Sequence, residues 1–161
     1  MPDLDWLPPL VICDWNRHDE TVERAYAIFQ QDFGETASRP QFRGRRLGLK
    51  RYPEFDGKSA TFWHFVTEGE IETERIPDGR RLERIGWPRA MLLEAAKVPS
   101  RVKVWSNRRK AALRWLLAVE DFSYLLVLDD RGEFLLPWTA YCVDQEHRRR
   151  KLEREFHATN G

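Results

Sequence analysis

Three consecutive apolar runs in the last third of the chain constrain its fold more than any other feature. They cover residues 112–119, 123–129 and 133–143. Each run has the length and alternation of a strand, and turn-forming residues separate them, with Glu120-Asp121 in the first gap and Asp130-Arg131-Gly132 in the second. The pattern therefore predicts an antiparallel meander. A basic helix is predicted to follow it over residues 144–156, with Leu152 and Phe156, four positions apart, as its apolar anchors.

The last predicted strand presents two different faces. Because strand side chains alternate, five side chains are expected to form an apolar stripe: Phe134, Leu136, Trp138, Ala140 and Cys142. Thr139 and Tyr141 are expected to point the other way, beside Leu135, Pro137 and Val143. A face that carries hydroxyl groups near Arg and His side chains is suited to binding or catalysis, although Thr and Tyr are also ordinary strand residues.

Helical and extended patterns are both found upstream. Apolar residues recur at helical spacing over residues 19–33, with acidic residues in the first turn. Residues 34–59 are rich in Gly, Pro, Arg and Lys and are predicted to form a loop, whereas residues 61–68 (TFWHFVTE) are strand-like by composition. Two short helices are predicted around Gly86 and Pro88, followed by a short apolar-alternating segment over residues 101–105.

The charge of the chain is divided unevenly along its length. Residues 1–38 hold eight of the 26 acidic residues and two of the 27 Lys and Arg residues, which leaves 18 acidic and 25 basic residues in the remainder. A basic body suits a polyanionic partner. The alternative is an ordinary solvated surface with an acidic helix at one end.

Length and composition limit the class of protein. With 161 residues the chain is expected to form one domain, residues 1–161, with an N-terminal arm, helix and basic loop over 1–59 and an α+β core over 60–156. The sequence shows no signal peptide and no apolar run of membrane-spanning length, and Cys13 and Cys142 lie far apart. We therefore expect a cytoplasmic protein with no membrane partner. We expect no metal and no cofactor, because neither a phosphate-binding glycine loop nor zinc-ligand spacing occurs.

The remaining inventory of His, Arg, Thr and Tyr suits metal-free cleavage of RNA. In that reaction a base deprotonates the ribose 2′-hydroxyl, a cation stabilises the charged phosphoryl group, and an acid protonates the leaving 5′-oxygen. The candidates are His64, Arg84, Arg114, Thr139 and Tyr141. Each also has an ordinary structural interpretation, such as a half-buried histidine bonded to a carbonyl for His64 or a charge at a sheet edge for Arg114.

A second set of basic residues is predicted to contact nucleic acid. Three lie in the glycine-broken loop, one in the polar segment before the meander and two in the run HRRRK of the last helix: Arg45, Arg46, Lys50, Lys110, His147 and Arg148. Five such residues in succession span more than one helical turn, so they cannot all face one partner. A solvated loop and a solvated helix are the alternatives.

Several segments resemble one nuclease superfamily, the barnase/EndoU/colicin/RelE-like (BECR) nucleases, and in particular its phage-associated branch. The segments are Tyr124–Leu128, Trp138-Thr139-Ala140-Tyr141, His147–Leu152, Trp63-His64-Phe65 and Glu83–Trp87. The likeness spans roughly residues 60–156.

This resemblance implies an α+β fold in which N-terminal helices pack on a roughly four-stranded antiparallel sheet, with a C-terminal helix. It also implies a metal-independent endoribonuclease, often a toxin of phage origin that an inhibitor or antitoxin protein can restrain. Transferred to this chain, it makes His64 the base, Arg84 and Arg114 the charge stabilisers, and Tyr141 with Thr139 the orienting donors or acid.

Two other functions remain open from the sequence. The first is a module of phage origin that binds nucleic acid without cleaving it, in which case affinity falls with salt and no product forms. The second is a protein-interaction module whose acidic N-terminal helix covers the basic sheet until a partner displaces it.

Overall fold

The structure, a computed structural model, describes residues 3–34 and 38–160. The α-helices of this part of the chain are α1 His18–Phe33, α2 Ala60–Val66, α3 Gly79–Glu83, α4 Trp87–Ala95 and α5 Glu146–Asn160. The strands are β1 Thr67–Glu68, β2 Ile76–Pro77, β3 Lys103–Arg109, β4 Ala112–Ala118, β5 Tyr124–Asp130 and β6 Leu135–Cys142. None of the helices in these two ranges is long and apolar enough to cross a lipid bilayer.

The predicted meander is confirmed as the main sheet of the structure. Strands β3, β4, β5 and β6 pair antiparallel in that order, so β3 and β6 are the edge strands. The predicted class, α+β with helices packed on a four-stranded antiparallel sheet and a C-terminal helix, is also confirmed. The segment 101–105 lengthens into β3 because the polar and basic residues that follow continue the pairing as far as Arg109.

The prediction of a strand over residues 61–68 is wrong, because most of this segment forms α2. The Ser59 hydroxyl accepts a hydrogen bond from the Phe62 amide at 3.4 Å and caps the helix. Phe62, Phe65 and Val66 are spaced for one helical face and are all buried. Phe62 contacts Phe29 of α1 with ring centres 5.4 Å apart. A short aromatic run fits both periods, and tertiary packing selects the helix.

The predicted apolar stripe of the last strand is also wrong, because β6 is irregular. Its register against β5 shifts between Val127 and Leu128. The extra residue reverses the alternation, so that Leu135 and Ala140, five positions apart, belong to the same core. Tyr141 and Thr139 still share a face, since they pair with Leu125 and Val127, two residues apart on β5.

The sheet separates two hydrophobic cores. Its inner face carries Leu117, Leu126 and Leu128 and packs against the layer formed by α1 to α4. Its outer face carries Trp105, Leu116, Leu125, Val127 and Val143, and packs against Leu152 and Phe156 of α5. The two anchors predicted for the C-terminal helix are thus confirmed.

The remaining upstream predictions largely agree with the structure. Helix α1 has Asp19 and Glu20 in its first turn, and α4 begins with Pro88 at the start of the helix. Residues 38–59 form neither helix nor strand, as predicted, whereas residues 35–37 of the predicted loop lie outside the described ranges. This loop runs along β6, where the Gly48 amide donates to the Leu135 carbonyl at 2.8 Å. It thereby brings Lys50 to the outer edge of the sheet.

Candidate nucleic-acid interface

A cationic cleft lies between the outer face of the sheet and α5, with a volume of about 370 Å³. Its floor is apolar and is formed by Leu116, Leu125 and Val127. Directly paired strand residues lie on the same face, and Arg114 pairs with Asn107 while Tyr141 pairs with Leu125. The pairing therefore places Arg114 and Tyr141 on the outer face together.

Among the described residues that line this cleft, four side chains are cationic and one is acidic. Arg109 and Arg114 come from the sheet, and Arg148 and Lys151 come from α5. Residues 148, 151, 152 and 155 of α5 all reach the cleft because positions three and four apart share one helical face. The basic run of α5 is thus divided between the cleft and solvent, as its length predicts.

The acidic residue, Glu155, is held by neutral donors. Its Oε1 accepts hydrogen bonds from Trp105 Nε1 at 3.0 Å and from Asn107 Nδ2 at 2.5 Å. The other end of the same amide, Asn107 Oδ1, accepts from Arg114 Nε at 3.2 Å. Arg114 forms no ion pair within the described part of the chain, so this relay orients its guanidinium without neutralising it.

A second group of residues gathers along β6, at the outer edge of the sheet. Arg81 of α3 donates from Nη1 to the His64 carbonyl at 3.2 Å and to Thr139 Oγ1 at 3.4 Å. Thr139 Oγ1 in turn donates to the His64 carbonyl at 3.3 Å. The Arg81 guanidinium lies 5.5 Å from the centre of the Tyr141 ring, within reach of a cation–π interaction. We call Arg81, His64, Thr139 and Tyr141 the edge network.

Tyr141 belongs to both groups, because its side chain lines the cleft and also contacts Arg81. The edge network and the cleft are therefore contiguous at this residue. The Arg81 guanidinium is itself paired with a carboxylate, since its Nε lies 3.5 Å from Asp78 Oδ2.

The His64 side chain is buried and bonded to a carboxylate. It is 7% exposed, and its Nε2 lies 2.9 Å and 3.0 Å from the two carboxylate oxygens of Glu72. Its ring packs edge-on against Trp138 with centres 5.1 Å apart. Burial lowers the pKa of His64 more than Glu72 raises it, and the nearby cations Arg75 and Lys50 lower it further. At neutral pH the imidazole is uncharged, so Nε2 donates to Glu72 and Nδ1 carries the lone pair.

The structure brings together most, but not all, of the predicted catalytic residues. Thr139 and Tyr141 meet in the edge network, which His64 joins through its main-chain carbonyl while its imidazole contacts Glu72 and Trp138, and Tyr141 and Arg114 line the cleft. Arg84 lies apart from both, since its guanidinium stacks over Trp87 at 5.0 Å in the inner layer, where Trp87 contacts Tyr124. Arg84 therefore packs on the opposite side of the sheet from Arg114.

The predicted nucleic-acid contacts are more dispersed. Arg148 lines the cleft, whereas His147 is exposed on α5 outside it. Lys110 lies at the exposed turn between β3 and β4. Lys50 lies over the Trp138 ring at 5.0 Å, beside the edge network.

The two loop arginines have structural contacts instead. Arg45 donates two hydrogen bonds of 2.8 Å to the Asp130 carboxylate. Asp130 also accepts a hydrogen bond from Nε1 of Trp115, and the Trp115 ring packs against the inner core. Arg45 therefore lies on the inner side of the sheet. These bonds hold the pKa of the Asp130 carboxyl well below its usual range. Arg46 stacks over Phe134 at 4.9 Å.

Sequence reasoning missed Arg81, Arg109, Lys151 and the relay formed by Glu155 and Asn107. Arg81 and Arg84 lie three positions apart on one amphipathic helix, and their spacing gives no sign of which one faces the sheet edge. The helical spacing from Arg148 to Lys151 to Glu155 was a usable signal, because it places these three side chains on one face.

Helix α1 does not cover the cleft. Its buried residues Val22, Ala25, Phe29 and Phe33 pack in the inner core, on the other side of the sheet. The hypothesis of an acidic helix shielding the basic face is therefore not supported by this arrangement.

Comparisons with family models, with curated proteins and with solved structures find no match to this chain. Within residues 3–34 and 38–160 no three His, Cys, Asp or Glu side chains gather in a way that could hold a metal ion.

Proposed function

We propose that this chain is a metal-independent endoribonuclease that binds RNA in the cationic cleft and cleaves it beside Tyr141. The observation that carries the proposal is the position of Tyr141, which joins a cleft lined by four cations to a network containing Arg81, Thr139 and the main-chain carbonyl of His64. Unpaired cations over an apolar floor suit a phosphodiester backbone with bases laid against the sheet.

The proposed reaction is an internal transfer of the phosphoryl group. A base takes the proton from the ribose 2′-hydroxyl, and the 2′-oxygen forms a bond to the adjacent phosphorus. The bond from phosphorus to the 5′-oxygen breaks, and an acid donates a proton to that oxygen. The products are a 2′,3′-cyclic phosphate and a 5′-hydroxyl.

The residues take roles that follow from their placement. Arg114 and Arg81 stabilise the charge that develops on the phosphoryl oxygens. The Tyr141 hydroxyl is the proton donor or orienting group at the leaving oxygen. His64 remains the proposed base, because a neutral imidazole is the protonation state that a base requires, and Glu72 fixes its tautomer.

A cleavage assay with matched variants tests this proposal. The protein is incubated with RNA in the presence of EDTA, and Arg114→Ala and Lys151→Ala are compared with Arg154→Ala. Arg154 is exposed on the same helix as Lys151 but does not line the cleft. We expect cleavage by the wild-type chain and by Arg154→Ala, and rates reduced roughly 10²-fold in Arg114→Ala.

The same assay distinguishes the second function predicted from the sequence. If the affinity for RNA falls when cations of the cleft are replaced, and no RNA is cleaved, the chain is a non-catalytic nucleic-acid-binding module. As a toxin-like ribonuclease of phage type, the active chain is expected to arrest growth when expressed, and an inhibitor or antitoxin protein is then the expected partner besides RNA.

A further inference from the structure

An apolar groove with acidic residues at its margin lies on the helical side of the molecule, away from the cationic cleft. It has a volume of about 490 Å³ and lies between α1, the loop over residues 53–56 and the segment from Thr67 to Pro77. Its apolar lining comes from Val22, Pro53, Phe55, Trp63 and Pro77. We call it the acidic groove.

Exposed apolar side chains concentrate around this groove. Phe55, which lines it, is 70% exposed, although its ring contacts Trp63 at 5.6 Å. Three more large apolar side chains lie next in sequence to lining residues: Tyr52, Ile71 and Ile76, which are 67%, 57% and 64% exposed. Four of the nine exposed large hydrophobic residues in the described ranges therefore line the groove or adjoin its lining residues in sequence. Exposed apolar groups concentrated in this way are typical of a contact surface.

The charge of the groove indicates which kind of partner it can bind. Five carboxylates line it, from Asp19, Glu23, Glu54, Asp56 and Glu72, whereas Arg75 is the one Lys or Arg among its described lining residues. The buried ammonium group of Lys58 forms ion pairs with two of these carboxylates, at 2.5 Å from Glu23 and 3.3 Å from Asp56. The groove therefore attracts cations and repels nucleic acid.

We propose that the acidic groove docks a basic, partly apolar segment of a partner protein. Arg or Lys side chains of the segment pair with the carboxylates at the margin, and its apolar side chains cover Phe55 and Pro77, which line the groove. A small free amine would satisfy the carboxylates but would leave the apolar side chains outside the groove exposed. The proposal does not rest on ribonuclease activity, because none of the cleft residues line this groove, although Glu72, the partner of His64, does line it.

A labelled synthetic peptide tests the docking surface directly. The probe is a short peptide of Arg and Leu in an amphipathic pattern, and its counterpart carries Glu in place of Arg. Binding to the full chain is followed by fluorescence anisotropy. Phe55→Ser is matched with Val98→Ser, since Val98 is 97% exposed and lies outside the groove. Glu54→Lys is matched with Glu133→Lys, an exposed turn residue between β5 and β6.

We expect the Arg peptide to bind, and both groove variants to weaken it about tenfold, which is the effect of losing one well-packed anchor. The two control variants should bind the peptide as the wild type does. Pro77→Ser, at an exposed residue that also lines the groove, provides a second apolar variant in case Phe55→Ser disturbs the fold, which circular dichroism would show. Equal binding by groove and control variants, no binding of the Arg peptide, or equal binding of the Glu peptide would overturn the proposal.

Discussion

At the scale of single residues, Tyr141 has the most informative position in the molecule. Its side chain lines the cleft, and its ring centre lies 5.5 Å from the Arg81 guanidinium. A Phe side chain would keep the ring contact and lose the hydroxyl. The two contributions of Tyr141 can therefore be separated by one substitution.

Tyr141→Phe is predicted to lower kcat for RNA cleavage by roughly 10²-fold or more, with little change in KM, because it removes a proton donor and leaves the stacking surface. The measurement is the initial rate over a range of RNA concentrations in EDTA. Tyr52→Phe is the matched control, since Tyr52 is 67% exposed and lies outside the cleft. An unchanged kcat in Tyr141→Phe would remove the hydroxyl from the mechanism.

His64 supplies a prediction about protonation. Because burial is the largest influence on its pKa, we expect the ring to titrate below the ordinary value of 6.5. Since the folded-state pKa is depressed, His64 contributes stability that is present above pH 6.5 and is lost as the pH falls through its folded-state pKa. Histidine NMR titration measures this pKa, and Glu72→Gln should lower it further because the carboxylate raises it. A midpoint above 6.5 would contradict the burial argument.

At the scale of elements, α5 packs across one end of the outer face of the sheet. Phe156 packs against Trp105 at 5.8 Å and Phe122 at 6.0 Å, and Leu152 joins the same core. The helix also supplies Arg148, Lys151 and Glu155 to the cleft. Its packing and its chemical contribution are therefore linked, because the apolar anchors hold the cations in place.

Phe156→Ala is predicted to reduce the free energy of unfolding by about 2 kcal/mol, less than for a fully buried phenylalanine because the side chain is half-buried. It should also weaken RNA binding, since one wall of the cleft loses its anchor. Urea denaturation and RNA titration measure the two effects, with Arg154→Ala as the control on the same helix. Weaker RNA binding without any loss of stability would show that α5 is not held in this way.

The elements also show what the sequence could and could not predict. The meander and both anchors of α5 follow from local periodicity, and they were predicted. Residues 61–68 were assigned to a strand because their composition is typical of one. Phe62, Phe65 and Val66 in the same segment are also spaced for one face of a helix, so the sequence pattern fits both elements. The irregularity in β6 falls next to Pro137, and a proline inside a strand favours an edge position or a bulge. Simple alternation ignores this signal and therefore assigned Leu135 and Leu136 to the wrong faces. The choice of Arg81 over Arg84 depends on how α3 packs, which no local pattern contains.

At the scale of the whole molecule, opposite charges are segregated on two surfaces. The cationic cleft lies on the outer face of the sheet, and the acidic groove lies on the helical side, while the net charge of the chain is only +1. Such segregation directs a polyanion to one surface and keeps it from the other. Net charge alone therefore conceals the feature that matters for binding.

The salt dependence of RNA binding follows from the number of cations in the cleft. With four cationic side chains lining it, log Kobs should fall with log salt concentration with a slope of about −3 for single-stranded RNA. Lys151→Ala should reduce the slope by about 0.7, and Arg154→Ala should leave it unchanged. Fluorescence anisotropy at several salt concentrations measures the slope, and a slope near zero would show that RNA does not bind through these cations.

The most direct test of the central claim is the chemistry of the product ends. A set of DNA strands carrying one ribonucleotide, with its base and neighbours varied, is incubated with the protein in EDTA, and the products are analysed by mass spectrometry. The mechanism predicts a single cut after the ribonucleotide, leaving a 2′,3′-cyclic phosphate and a 5′-hydroxyl. Cutting at deoxyribonucleotides, cutting that requires an added metal ion, or intact strands throughout would contradict it.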